Sequence, residues 1–416
     1  MTELQKNLAR AAVAVVIFLV ALELGLRVAP VAIPLEILEQ FEPELRSAIA
    51  ERRKLTTKKD TVLVDRDDGG PPDRLWVYRP GAEIHWDFVE SGLVQTIRVD
   101  EMGFCNPTPD AYRHEKFDVV TIGDSFTFCT TVDPDETWSS VLGELSGLTV
   151  YNLGQPGRGP HEYVQLLKRF GLSRHPRIVV MNVYEGNDFR DAYLFHEARL
   201  QAGGGAAPPP CPFGSEPLCS AFLTLKRSLI GRVSYAYSFL SGSAWWLAAS
   251  ARQSEIDFQY EVRFADGDTL GMNSRNGDRD EVEFARMLVD GTLGGDLLED
   301  ALSSFVALAA EHRFTPIVVY TPSAYTAYEG MTTFDDPTIE ATMRAYSRGL
   351  RAYFSAAAKR LGFAYVDLTE AINTAARSSR RDALLYFQTN VHLTPAGHRL
   401  VAERVARAIA ATTPQS

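Results

Sequence analysis

Five short apolar runs, each closed by a polar or glycine-containing turn, constrain the fold of this chain more than any other feature. They are FDVVTIG (117–123), LTVYNLG (148–154), RIVVMNVYE (177–185), TPIVVYTP (315–322) and FAYVDLTE (363–370). A strand wetted on one face alternates apolar with polar residues, whereas a near-continuous apolar strand must be covered on both faces. Helical patterns separate the runs, the longest from about Thr338 to Leu361. Together they predict an α/β fold, a parallel five-stranded sheet sandwiched between helices.

Ligands of an open parallel sheet bind beyond the carboxyl ends of its strands. Ser125 follows the first run in TIGDSFTFCT, and Gly154, Gly157 and Gly159 follow the second in NLGQPGRG. Asn187 and Asp188 follow the third in EGND, and His392 follows the fifth in NVHLTPAGH. A serine at a strand end is by itself an ordinary turn or cap residue. Four polar groups at one sheet edge are harder to obtain by chance, and they fit acyl transfer, which needs a nucleophile, a base and donors for an oxyanion.

These residues resemble the SGNH (GDSL-type) esterases and acetyltransferases over roughly residues 100–190 and 310–410. Gly123-Asp124-Ser125 is similar to the family's first block, and Asn152 and Gly157 to its second. Asn187 fits the third block, although Gly186 sits one residue closer than in G-x-N-D, and His392 fits the last. The resemblance implies a flavodoxin-like sheet, Ser125 as nucleophile and His392 as base. It also implies an oxyanion hole built from the amides of Ser125 and Gly157 and the side chain of Asn187. Asp124 and Asp188 are supporting residues, Asp188 as a brace for its loop, while Gly154 and Gly159 read as turn residues and His398 as a helix-surface or packing residue. Where the family places an aspartate two or three residues before the histidine, this chain has Asn390 and Thr389. Asn390 completes the expected catalytic set; it can orient His392 through its amide oxygen but lacks the charge that stabilises imidazolium.

The segment LARAAVAVVIFLVALELGLRVAP (8–30) reads as a membrane anchor. Ala11 to Leu22 is uninterrupted, so a span of about 20 residues requires Glu23 and Arg27 at the far interface. A cleaved signal peptide is the rival reading, but no A-x-A-like site follows the apolar run cleanly. Lys6 and Arg10 hold the N-terminus in the cytoplasm and put the remaining chain on the periplasmic or extracellular side. Cys211 and Cys219 bracket CPFGSEPLC; a bridge between them leaves Cys105 and Cys129, although four cysteines allow three pairings. The resemblance adds that anchored members carry a G-F-R-like turn before the first strand. Here Cys105 replaces its arginine and Cys129 stands where glycine is usual, which implies that these two pair.

The expected domains are 1–34 (cytoplasmic stub and anchor), 35–104 (juxtamembrane stalk and small β lead-in), 105–200 with 301–412 (catalytic domain), and 201–300 (insertion). The lead-in is predicted from LWVYRP, AEIHWDF and LVQTIRVD as a small antiparallel sheet. Within the insertion, GGGAAPPPCPFGSEPLC is low in complexity, and FQYEVRFADGDTL predicts a hairpin turning at Asp266 and Gly267. Between them, the helical stretch containing Trp245 and Trp246 reads as a subdomain packed on the sheet rather than a second span, because Lys226, Arg227 and Arg232 interrupt it.

A net charge of −11 excludes a general positive field for nucleic acid, and no metal-ligand spacing or cofactor motif is present. The expected activity is that of an anchored serine esterase or O-acyltransferase working on small acyl esters of a glycan or cell-envelope polymer. Its expected partners are the ester, a polysaccharide bearing it, and the bilayer. Asn390 motivates the other class, a noncatalytic polysaccharide-binding or envelope-assembly scaffold.

Overall fold

The computed structural model describes residues 2–38, 41, 43–53, 61–71, 75–88, 93–202, 234–250, 258–274, 279–334 and 336–412. Cys211, Cys219 and the low-complexity stretch around them lie outside the described residues. In chain order the elements begin with α1 (Glu3–Val28), α2 (Leu35–Leu38), α3 (Pro43–Arg52), β1 (Thr61–Leu63), β2 (Trp76–Tyr78), β3 (Glu83–Phe88) and β4 (Leu93–Arg98). There follow β5 (Val119–Ile122), α4 (Trp138–Ser146), β6 (Val150–Asn152), α5 (Pro160–Leu166), β7 (Ile178–Tyr184), α6 (Asp188–Ala202) and α7 (Tyr235–Ser250). Next come β8 (Phe258–Arg263), β9 (Thr269–Ser274), α8 (Arg279–Val289), α9 (Glu299–His312), β10 (Thr315–Thr321), α10 (Ala324–Ala327) and β11 (Thr332–Phe334). The chain closes with α11 (Pro337–Leu361), β12 (Ala364–Asp367), α12 (Thr369–Arg377) and α13 (Pro395–Thr412).

These elements form two compact units, Met1–Asp60 with Ala207–Ile256, and Thr61–Ala206 with Asp257–Ser416. The second carries the expected sheet, in the order β12-β10-β7-β5-β6 and parallel throughout. Counted along the chain, that order is 2-1-3-4-5, the flavodoxin-like arrangement, whose switch point lies between β5 and β7. The three central runs became strands for the reason they suggested, with Val119, Val120, Val179, Val180, Ile317 and Val318 all wholly buried, while the edge strand β12 is only half-buried along its length. Helices flank the sheet, with α4 packed on α13 and β6, α5 on α9 and β5, and α11 on β12. Thr137 caps α4 by accepting from the Ser140 amide at 3.2 Å, and Asp336 caps α11, whose first residue is Pro337.

The lead-in is antiparallel, in two separate pairs. β3 pairs with β4, but β2 pairs with β1, so there are two antiparallel ribbons. Pro80 follows β2 almost at once and has no N–H for a ladder, and the chain turns there before β3. The predicted hairpin is present as β8 and β9, with the Gly267 amide donating to the Phe264 carbonyl at 3.0 Å; β11 adds a third strand beside β8.

Cys105 and Cys129 form a disulfide with their Cα atoms 6.0 Å apart. It ties the turn before β5 to the loop that follows Ser125, and it is buried with Tyr78, Ile84, Ile97, Val99 and Phe128. Closing a chain separation of 24 residues should stabilise the fold by about 3 kcal/mol through the unfolded state. Chemical denaturation of the Cys105→Ala/Cys129→Ala double variant is expected to show a loss of that size; an unchanged midpoint would remove the bridge from the stability account.

In the first unit, Ile37, Leu38, Phe41, Leu45 and Ile49 are buried with Leu26, Ile33 and Tyr235. Residues 35–38 and 43–52, expected as part of the juxtamembrane stalk, form α2 and α3 instead, with Ile37, Leu38, Leu45 and Ile49 buried. The insertion divides as well: residues 207–256 belong to this unit, while β8, β9 and α8 belong to the sheet-bearing one. Accordingly α7, expected as a helix on the sheet, packs against α1 and α2.

Candidate active site

β5 ends at Ile122, and the Asp124 carbonyl then accepts from the amides of Thr127 (3.1 Å) and Phe128 (2.9 Å), so the chain turns tightly with Ser125 at its apex. The loop after β6 is stitched to this turn. Asn152 donates from Nδ2 to the Thr127 carbonyl at 2.7 Å and accepts on Oδ1 from the Gly154 amide at 2.8 Å. Gly154 permits that approach, because a Cβ there would lie 2.6 Å from the Phe128 nitrogen. Gly157 is required for a different reason: its φ is +65° while the space around it is open, so the constraint is conformational rather than steric. Among the described residues, the amides of Ser125 and Gly157 have no hydrogen-bond acceptor.

Asn187 lies directly after β7 and opens α6, on the other side of the switch point from Ser125. Its Nδ2 donates to Asp124 Oδ2 at 3.1 Å, and Asp124 Oδ1 accepts from the Phe126 amide at 2.9 Å. That contact engages one N–H of the Asn187 amide and leaves Nδ2 a second. Burial pushes the Asp124 carboxyl up to about 7, against the hydrogen bonds that oppose the shift. Asp188 accepts from the Tyr184 amide at 2.9 Å and from the Tyr163 hydroxyl, joining its loop to α5. Burial, reinforced by the charge of Asp124, holds its carboxyl well above the usual range. It is a brace in this arrangement.

His392 arrives on the segment before α13, where Tyr386 and Leu393 form an antiparallel bridge and the Phe387 amide donates to the His392 carbonyl at 3.0 Å. Its Nε2 lies 2.8 Å from Ser125 Oγ. Its Nδ1 bonds Asn390 Oδ1, which also accepts from the His392 backbone amide at 3.1 Å. The backbone contact settles the amide orientation, since an Asn390 NH₂ in that place would face an N–H that can only donate. The ring therefore carries its proton on Nδ1 and offers the Nε2 lone pair to the Ser125 hydroxyl. Desolvation pushes the His392 pKa down to about 4, so the imidazole is neutral at pH 7.

These bonds join Ser125 to His392 and Asn390, and Asp124 to Asn187; His398, expected as a helix-surface or packing residue, takes no part in them. That ring is buried under α4, accepts from the Trp138 amide at 3.1 Å, and is pushed down to about 3 by burial. Three contributors gave no sequence signal. Phe126 stacks on His392 with centroids 4.9 Å apart and on Tyr184 at 3.5 Å. Arg158, beside Gly157, is buried with its guanidinium 4.4 Å from the Trp76 ring centre. Asp100 is buried and accepts from the Tyr151 hydroxyl at 2.7 Å and the Asn106 amide group at 2.9 Å, while Asn106 in turn holds both the amide and the carbonyl of Asn152.

No family model matches the chain, and no curated protein does. Among solved structures it is similar to a protein of the G-D-S-L family from Desulfitobacterium hafniense DCB-2, at 16% identity and a TM-score of 0.30, covering 70% of this chain and 97% of that one. It is also similar to LAE5, an alpha/beta hydrolase enzyme from the metagenome of Lake Arreo, Spain, at 14% identity and a TM-score of 0.36, covering 73% and 99%. A third is a variant of Axe2, an acetyl xylan esterase from Geobacillus stearothermophilus, at 16% identity and a TM-score of 0.35, covering 73% and 100%. At these identities and TM-scores the likenesses carry no residue role across to this chain.

Proposed function

We propose that the chain is a serine esterase or O-acyltransferase that works through an acyl-serine intermediate. The observation that carries this is the ordered chain from Ser125 Oγ through His392 to Asn390 Oδ1, set beside two amides without acceptors. Ser125 Oγ attacks the ester carbonyl as His392 Nε2 takes its proton. The oxyanion is met by the amides of Ser125 and Gly157 and the second N–H of Asn187, each such donor worth about 3 kcal/mol of barrier. Collapse breaks the ester C–O bond, and the leaving alkoxide takes the proton back from Nε2. Water, or a hydroxyl of an acceptor, then repeats the sequence and frees the serine. The substrate in this reading is a small acyl ester on a glycan or cell-envelope polymer.

The test is covalent labelling with a fluorophosphonate. Wild type is expected to label and Ser125→Ala is not. A folded wild type that fails to label favours a noncatalytic polysaccharide-binding or scaffold role, the reading that Asn390 motivates.

We also place the chain in a membrane through α1, with Ser125 on the periplasmic or extracellular side. α1 is long and apolar enough to span, Lys6 and Arg10 lie at its start, and the Cys105–Cys129 bridge suits an oxidising compartment. Retention of α1 is favoured over cleavage because Leu26 is buried with Ile33, Ile37 and Tyr235, so its last turn belongs to a folded core. Intact mass of the membrane-extracted protein should include residues 1–28; a mature chain starting after Ala29 would refute the anchor.

A further inference from the structure

We infer that α7 is a lipid-embedded helix that enters the same bilayer as α1 without crossing it, an inference that rests on the anchor reading of α1. Across its 16 residues α7 has no charged side chain. Tyr235, Ser238 and Gly242 are buried and Phe239 is half-buried, a stripe at helical spacing whose small members allow close helix approach. The rest of its described surface presents Tyr237 (47% exposed), Leu240 (38%) and Leu247 (59%), with Ala244 and Ser241 also exposed, the Ser241 hydroxyl donating back to the Ser238 carbonyl at 3.0 Å. A soluble helix on a water-facing unit would carry charged residues there, and α7 has none.

The joint between the two helices explains the one acidic residue in the apolar part of α1. Glu23 Oε2 accepts from Ser234 Oγ at 3.0 Å and from the Ala236 amide at 2.8 Å, which caps the N-terminus of α7. Its Oε1 accepts from Arg27 at 2.6 Å, and the Arg27 guanidinium lies 5.1 Å from the centre of the Tyr235 ring. A carboxylate at the end of a membrane span is costly unless paired. Here a neighbouring cation and the positive end of a helix both meet it. Leu22 and Phe239 pack beside the joint, so the start of α7 is held at the level where α1 reaches the bilayer surface.

Two facts argue against a crossing by α7. Among the described residues the helix runs 16 residues, about 24 Å, short of the roughly 30 Å hydrocarbon core. The residues on either side of the excursion, Thr61–Ala206 and Asp257–Ser416, belong to one folded unit, so the segment must leave and return on the same face. The exposed apolar face of α7 thus continues the exposed apolar surface of α1, where Val13, Val16, Ile17 and Val20 are each more than half exposed. Lipid is the occupant that fits both.

The test places an environment-sensitive nitrobenzoxadiazole label at Leu240→Cys, Leu247→Cys and, separately, Val16→Cys, in the full chain reconstituted into phosphatidylethanolamine/phosphatidylglycerol vesicles. Wild type serves as the labelling blank, with Cys211→Ser/Cys219→Ser as background if it labels. All three positions are expected to be quenched by doxyl-labelled lipid and shielded from aqueous iodide. Lipid quenching at residue 16 with iodide quenching at 240 and 247 would overturn the inference while leaving the anchor in place. Iodide quenching at all three would overturn both.

Discussion

Ser125→Ala and His392→Ala are each expected to lower kcat for a small acetate ester by about 10⁴-fold, and the double variant by no more than either single one. The two side chains act as one unit: without His392 Nε2, 2.8 Å away, the serine hydroxyl has no proton acceptor, and without the hydroxyl the imidazole has no proton to move. In a complete serine triad the corresponding loss is near 10⁶. It should be smaller here because this site begins without a carboxylate to stabilise imidazolium, so less is present to be removed. The residual rate belongs to the amides of Ser125 and Gly157 and to Asn187, none of which either substitution removes. Steady-state kinetics on folded variants decides the matter. Losses that multiply in the double variant would mean that the two residues act independently and that the catalytic unit has been misread.

The parts of this site that were legible in the sequence are those whose chemistry is local. A buried strand must be apolar, and a turn after it must be small or polar, so the five strands and the residues at their ends could be read directly. The lead-in was not legible to the same degree, because a short strand's pattern does not say which neighbour it pairs with, and β2 pairs with β1 rather than β3. Residues 35–38 and 43–52 misled through composition: their charges suggested a solvated stalk, whereas the buried Ile37, Leu38, Leu45 and Ile49 were the informative positions. Phe126 and Arg158 were silent for another reason. Stacking on His392 and on Trp76 brings together residues from separate parts of the chain, 266 and 82 positions apart, and nothing in their neighbours announces it. Asn390 falls between these cases. Its position before His392 was readable, but the orientation of its amide became clear only when the backbone N–H of His392 was found on the same oxygen.

That orientation makes Asn390→Asp an informative gain-of-function substitution. The acid of a serine triad has two tasks, to fix the tautomer with Nε2 free and to stabilise imidazolium by charge. Asn390 already performs the first, since its Oδ1 accepts from Nδ1–H. An aspartate in the same place keeps that contact and adds the second. The position is partly exposed, so an ionised carboxylate there retains water. With desolvation alone acting on it, His392 is held down near 4 and is a weak base at neutral pH. A negative charge in hydrogen-bond contact raises that value and with it the basicity available in the transition state. Asn390→Asp is therefore expected to increase kcat by about tenfold or more at pH 7–8. The direction of the pH effect follows from the role of His392: only the unprotonated ring can act as base, so raising its pKa moves the ascending limb of the profile to higher pH. Below that limb the variant has a smaller active fraction than wild type, and the two curves should approach one another as pH falls. Ser125→Ala in the same background should remove both effects. If folded Asn390→Asp shows the wild-type kcat and pH profile, another group already supplies negative charge to His392, and the neutral-amide account of this site is wrong.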